Sequence, residues 1–233
     1  MKILAIDTSS MTAAVAVKEG NMVLGEYILN DGHTHSQKLI PMVMELMSGL
    51  RLKPADIDVY AASVGPGSFT GLRIGVVTIK SMAYAVKKPV VGVSTLDALA
   101  YNLPLGDKLI CPIIDARNMQ VYTAIYSWDE GIFVRKSDYI ALTVRELAEK
   151  LKETKRQCMF CGDGVLVHKD FFKETLGEKA FFAPSNLLLQ RASSVAELGL
   201  QKYVKGQYEE PFVLTPFYLR KPQAERKFAG EKV

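Results

Sequence analysis

The chain is expected to form a two-lobed α/β fold made by duplicating a β-β-β-α-β-α unit, and three observations predict it. The same order of strand-like and helix-like segments runs through residues 1–103 and again from residue 104 onward. A short match, Ile6-Asp7 in one half and Ile114-Asp115 in the other, sits at the end of the first strand-like segment of each half. Between them lies a glycine-rich turn that feeds a long apolar helix, Gly65-Pro66-Gly67-Ser68-Phe69-Thr70-Gly71-Leu72-Arg73-Ile74-Gly75.

The amino-terminal segment alternates as a strand through Asp7, Ala13 to Val17 reads as a second strand, and Met22 to Leu29 as a third after Glu19-Gly20-Asn21. Ser36 is the expected N-cap of a helix whose apolar positions are Leu39, Val43, Leu46, Met47 and Leu50, and Val59 to Ser63 returns as a strand. In the second half, Leu109 to Asp115 and Val121 to Trp128 are expected strands, with a turn at Asp129-Glu130-Gly131 and a further strand from Ile132. A helix over 143–152 and a strand over 157–161 follow, then a helix over 192–204. The lobe boundary is placed near Leu103-Pro104-Leu105-Gly106, giving a first lobe of residues 1–103 and a second of 104–233 that ends in a basic tail.

Composition excludes several classes. With 48% hydrophobic and 23% charged residues, the 233-residue chain has ordinary globular composition rather than that of a disordered one. No apolar run reaches the roughly 18 to 20 residues a membrane helix needs. Three cysteines argue against a disulfide framework and for a reducing, cytoplasmic setting. Cys158 and Cys161 form a lone C-x-x-C that on a strand points its thiols to opposite faces, which disfavours a metal or redox pair. The net charge of +4 includes Arg220, Lys221, Arg226, Lys227 and Lys232 near the end, a tail that either is simply solvated or touches nucleic acid.

By analogy of fold, a duplicated unit with an aspartate at each first hairpin is the plan of the actin, sugar kinase and Hsp70 superfamily. There the two hairpins offer backbone N–H groups to one nucleotide, and nearby glycines let the backbone approach its phosphates. Those glycines are missing here, since Asp7 is followed by Thr8-Ser9-Ser10 and Asp115 by Ala116-Arg117. Asp7, Thr8, Ser9, Asp115 and Arg117 are therefore expected to form a vestigial nucleotide site, the alternative being ordinary turn residues. Gly162-Asp163-Gly164 would either border an adenine or make a plain strand-to-helix turn.

The glycine-rich turn is neither G-x-G-x-x-G nor a phosphate loop with Gly-Lys-Ser/Thr. Its helix carries one apolar stripe of Phe69, Leu72, Val76, Ile79, Ala83 and Val86 and a second of Ile74, Val77 and Met82. One sheet cannot cover both, so a second layer of the same chain or a partner is required, and Gly71 and Gly75 would admit a close helix backbone.

On Gly65 to Gly75, Gly92-Val93-Ser94-Thr95-Leu96-Asp97-Ala98-Leu99, Ile6-Asp7-Thr8-Ser9, Asp115-Ala116-Arg117 with Val121-Tyr122, and Pro216-Phe217-Tyr218-Leu219-Arg220, the chain resembles the TsaB (YeaZ) family. The resemblance implies the two-lobed fold and a non-catalytic subunit that pairs with TsaD, the transferase that places a threonylcarbamoyl group on the adenosine 3′ of the anticodon in tRNA. It implies that the ATPase TsaE joins the complex, that the subunit forms a homodimer when alone, and that tRNA is met through the complex. The expected interface is the helix after the glycine-rich turn, with Phe69, Gly71, Leu72, Arg73, Gly75, Val76 and Ile79. No catalytic residue, metal or cofactor of its own is expected, while ATP or ADP at the interface of the complex stays open.

Two alternatives have their own signatures. A small-molecule kinase or ATPase would use Asp7 and Asp115 around magnesium and phosphate. A glycoprotease that holds a metal as the catalytic relative does would need paired helical histidines, and the chain offers only His33-Thr34-His35 before a helix and a distant His168.

Overall fold

The computed structural model describes residues 1–31 and 35–220; His33 and the tail residues Lys221, Arg226, Lys227 and Lys232 lie outside them. The first sheet holds β1 (Lys2–Asp7), β2 (Ala13–Glu19), β3 (Met22–Leu29), β4 (Val59–Gly65) and β5 (Val90–Ser94) in the order β3-β2-β1-β4-β5. β1 runs antiparallel to β2, with Leu4 opposite Val17, and parallel to β4, with Leu4 opposite Tyr60. Helices α1 (His35–Gly49), α2 (Phe69–Ala85) and α3 (Thr95–Tyr101) connect and flank it.

One face of this sheet, including Leu4, Ile6, Val15, Val17 and Tyr60, packs on Leu39, Val43 and Leu46 of α1 and on Val76 and Ile79 of α2. A sheet covered on both faces needs apolar residues at consecutive positions, which is why β1 reads Ile3-Leu4-Ala5-Ile6 without alternation. Helix α1 begins at His35, so Ser36 lies in its first turn rather than capping it. The His35 ring, with Nε2 2.6 Å from the Ser10 carbonyl oxygen, anchors that start.

The second sheet contains β6 (Leu109–Asp115), β7 (Gln120–Thr123), β8 (Tyr126–Asp129), β9 (Ile132–Arg135), β10 (Ile140–Thr143), β11 (Cys158–Cys161) and β12 (Ala180–Phe182). Its main order is β10-β7-β6-β11-β12, with β8 pairing β6 and β9. The expected single strand over Val121 to Trp128 is two strands. At Ile125 the N–H goes to Ser137 Oγ and the carbonyl accepts from Lys136, so the ladder breaks there and the chain changes partners from β10 to β9. Helix α4 (Val144–Glu153) starts at a Thr143–Glu146 capping box, and α5 (Gly164–Leu176) follows β11. Cys158 packs with Cys111 on one side of the sheet, and Cys161 joins Leu99 and Ile114 on the other, as a spacing of three on a strand requires.

After a short α6 (Ser185–Leu188), helix α7 (Ala192–Val204) crosses back to the first lobe. Its Ala192, Val195 and Ala196 cover the second face of the first sheet against Ile3, Ala5, Ala14 and Ala61. Small residues there let the helix sit close, and a Cβ at Gly199 would meet Ala61 and Ile3 at 3.1 Å. Lys18, almost fully buried on β2, pairs with Glu197 of α7 at 2.9 Å. The segment beyond α7 also returns, with Val90 and Glu209 exchanging backbone hydrogen bonds and Leu214 entering the first-lobe core. A boundary at residues 103/104 therefore divides the chain order but not the cores. Among the described residues no helix is long and apolar enough to cross a membrane.

Candidate functional site

The first hairpin turn is closed from within. The Asp7 carboxylate is fully buried and accepts from the Ser9 N–H at 2.9 Å, the Ser9 hydroxyl at 2.6 Å and the Ser63 hydroxyl of β4. Burial pushes its pKa above the ordinary value, against the pull of those hydrogen bonds. Thr8 is turned to α2, where its hydroxyl donates to the Gly71 carbonyl at 2.8 Å. The Ser9 carbonyl accepts the Ser68 N–H at 2.7 Å. Ser10 donates to Gln190 Oε1 at 2.7 Å, tying this turn to the chain leading into α7. The groups that a phosphate would address are thus spent on the protein itself.

The glycine-rich turn owes its composition to the same packing. A Cβ at Gly67 would lie 2.3 Å from the Ser9 carbonyl oxygen, and one at Gly71 would lie 2.0 Å from that of Thr8. At Gly75 the obstacle is Thr8 Oγ1, 2.3 Å away. Gly65, with φ of +123°, has the Phe217 carbonyl oxygen where a Cβ would stand, and the Phe217 N–H donates to Val64 at 2.6 Å. Ser68 caps α2 by accepting the Gly71 N–H.

These contacts occupy part of the expected interface from within the chain. Gly71, Leu72, Gly75, Val76 and Ile79 face the chain's own sheet and first hairpin, and the paired glycines accommodate Thr8. The outer side of the helix is partly covered by the returning carboxyl-terminal segment. Lys80 Nζ donates to the Phe212 and Leu214 carbonyls, Tyr84 packs edge-on to Phe212, and Tyr218 sits against Phe69 while its hydroxyl accepts from Arg73 Nε at 3.2 Å. What remains outward on this side is Arg73, Val77 and Tyr84, joined by Phe212 and Val213; Val77 and Tyr84 are each 59% exposed and Phe212 is 71% exposed. Of the seven residues expected at the interface, Arg73 belongs to this outer strip, and Phe69 lies half-buried against Tyr218 beside it. Sequence reasoning missed the segment at 212–218 as a cover for α2, although its aromatic run was visible.

The second hairpin turn is organised differently. Arg117, Asn118 and Met119 all have positive φ, and the Arg117 N–H, not its guanidinium, donates to the Asp115 carboxylate at 3.3 Å. Asp115 Oδ1 lies 3.1 Å from Nε2 of the buried His168 on α5, a pairing the sequence did not indicate. The Asp115 N–H donates to Asp163 Oδ1 at 3.1 Å, and burial raises the Asp163 pKa to about 6. Gly162 and Gly164 are needed because a Cβ at either would strike the Ile113 carbonyl oxygen, at 2.3 and 2.9 Å. The 162–164 stretch is thus a tight strand-to-helix turn against β6. Arg220 reaches this hairpin, hydrogen bonding to Gln120 and lying over the Tyr122 ring. Among the described residues, no group of three or more His, Cys, Asp or Glu side chains has the geometry of a metal site.

The family model described as "TsaD: tRNA N6-adenosine threonylcarbamoyltransferase" matches residues 23–228. The chain is 36% identical to the tRNA threonylcarbamoyladenosine biosynthesis protein TsaB of Bacillus subtilis over 98% of both chains, and 29% identical to that of Escherichia coli over the full length of both. The structure of YeaZ from Pseudomonas aeruginosa superposes with a TM-score of 0.76 at 25% identity, covering 94% of this chain and 99% of the other. Component A of (R)-2-hydroxyglutaryl-CoA dehydratase from Acidaminococcus fermentans, with a TM-score of 0.50 at 10% identity over 88% of this chain and 99% of that one, shares the fold alone. The fold is the two-lobed one of actin, sugar kinases and Hsp70, and the chain belongs to the TsaB (YeaZ) family within the wider group matched by the TsaD model.

Proposed function

We propose that this chain is a non-catalytic subunit of the assembly that makes threonylcarbamoyladenosine in tRNA, stabilising and activating a TsaD-type transferase through the outer strip of α2. The observation that carries this reading is the Asp7 turn, whose carboxylate is buried and whose hydroxyls and backbone groups bond inside the protein. A kinase or ATPase of the same fold needs those groups open to magnesium and phosphate. An apolar strip formed by Val77, Tyr84, Phe212 and Val213 instead offers a surface for another protein. On this reading TsaE joins the same complex, the chain pairs with itself through this strip when alone, and tRNA contacts the complex as a whole.

The test is reconstitution. Purified chain alone turns over no ATP, and adding it to TsaD, TsaE and the threonylcarbamoyl-adenylate-forming enzyme restores modification of tRNA. Magnesium-dependent ATP hydrolysis by the isolated chain, or full modification without it, overturns the proposal.

A further inference from the structure

A cavity of about 670 Å³ opens where α3 and α7 meet the β8–β9 hairpin, and none of its lining residues belongs to the two hairpin turns or the glycine-rich turn. Its volume is in the range of small-molecule sites. Tyr101, Trp128 and Phe133 form an aromatic wall with ring centroids 5.2–5.5 Å apart. The wall is braced by the Trp128 indole N–H, which donates to the Leu103 carbonyl at 3.0 Å. Among the described residues Asp97 is the single carboxylate in the lining, and it accepts from the hydroxyls of Tyr126, at 2.7 Å, and Tyr139, at 2.8–2.9 Å. Both of its oxygens are thereby engaged by phenol hydroxyls, which partly compensate its charge.

The cations are placed otherwise. Arg135 lies over the Tyr139 ring at 4.0 Å, and Lys202 and Lys205 approach from α7 and its carboxyl-terminal end, Lys202 donating to the Gly92 carbonyl. Three positive side chains against one spoken-for carboxylate leave the cavity electropositive beside a wall of mutually tilted rings, each of which offers a π-face or edge to an aromatic ligand. That pairing suits a planar ring carrying an anionic group, because the ring replaces water on the aromatic face and the anion meets the cations.

We propose that this cavity binds a planar aromatic anion of mononucleotide size, the ring against Trp128 and Phe133 and the anionic group toward Arg135 and Lys205. The site is independent of the subunit role above. Trp128 is the chain's single tryptophan, so its fluorescence reports on this cavity alone. Titration of the full chain with AMP is expected to quench that fluorescence saturably. Adenosine and inorganic phosphate, each lacking one half of the chemistry, bind about tenfold more weakly or worse. Arg135→Glu and Lys205→Glu, both at exposed positions, weaken AMP about fivefold or more while leaving the thermal melt in place. No saturable quenching up to millimolar AMP, equal binding of adenosine or of phosphate, or undiminished binding by both charge-reversed variants overturns the site.

Discussion

Replacing Gly75 with alanine separates a glycine that admits a partner from one that admits the protein's own Thr8. In the structure a Cβ at position 75 stands 2.3 Å from Thr8 Oγ1, while Ile6 and Thr8 Cβ are at 3.6 Å, an ordinary contact. Overpacking of this kind costs about 1–3 kcal/mol, against about 1 kcal/mol gained from alanine's helix propensity. The hydroxyl cannot simply rotate away, because it donates to the Gly71 carbonyl at 2.8 Å. Gly75→Ala is therefore expected to lose up to about 2 kcal/mol. Thr8→Ala alone loses about 1 kcal/mol with its hydrogen bond. In the Thr8→Ala background the obstacle is gone, and Gly75→Ala becomes stabilising by up to about 1 kcal/mol. The double-mutant cycle then yields a coupling of about 2 kcal/mol between two residues 67 positions apart in sequence. Urea unfolding of the four proteins at one concentration measures it. Additive changes, or a Gly75→Ala protein of unchanged stability that no longer self-associates, would refute the reasoning and return the glycines to a subunit interface.

Three further outcomes follow from the packing. Glu197→Gln leaves the almost fully buried Lys18 without its counter-charge, whereas Lys18→Met leaves the half-exposed Glu197 to water, so the first is expected to cost about 2 kcal/mol and the second under about 1 in thermal or urea unfolding. Asp163 has a folded pKa of about 6 against 3.8 in an open chain, so the native state keeps an extra proton between about pH 4 and 6. That contribution is fully present below pH 4 and is lost as pH rises to 6, by up to about 3 kcal/mol, and Asp163→Asn should flatten the pH–stability curve across that window. Deleting residues 212–220 uncovers the outer side of α2 and removes Leu214 from the core, which is expected to lower the urea midpoint and increase binding of an apolar dye.

The repeated element order and both aspartate turns could be read from the sequence because strand alternation and helical spacing are local signals. The side of α2 that is buried could not. Ile74, Val77 and Met82 look alike in a helical projection, but Val77 stays exposed while Met82 and Ile74 pack against the core. What decides it is the first-lobe core that α1 and the sheet build against the helix, which no projection of α2 alone contains. The break at Ile125 was equally hidden, since it depends on Ser137 and Lys136 capturing one residue's backbone groups from outside the strand. Helix α7 was visible as a helix, but its small face of Ala192, Ala196 and Gly199 gave no hint that its partner is the first sheet. At the Asp7 turn the missing glycines were legible, while the hydroxyl of Ser63 that completes the carboxylate's enclosure was not.

The proposed role requires that TsaD grips the outer strip of α2. Val77→Glu and Tyr84→Glu alter side chains that are each 59% exposed, so both proteins should fold, the second losing only its edge-on contact with Phe212, worth about 1 kcal/mol. In calorimetric titration against TsaD the double variant is predicted to lose association by a hundredfold or more, about 3 kcal/mol, with tRNA modification falling in step. Undiminished binding of TsaD by the folded double variant would contradict it.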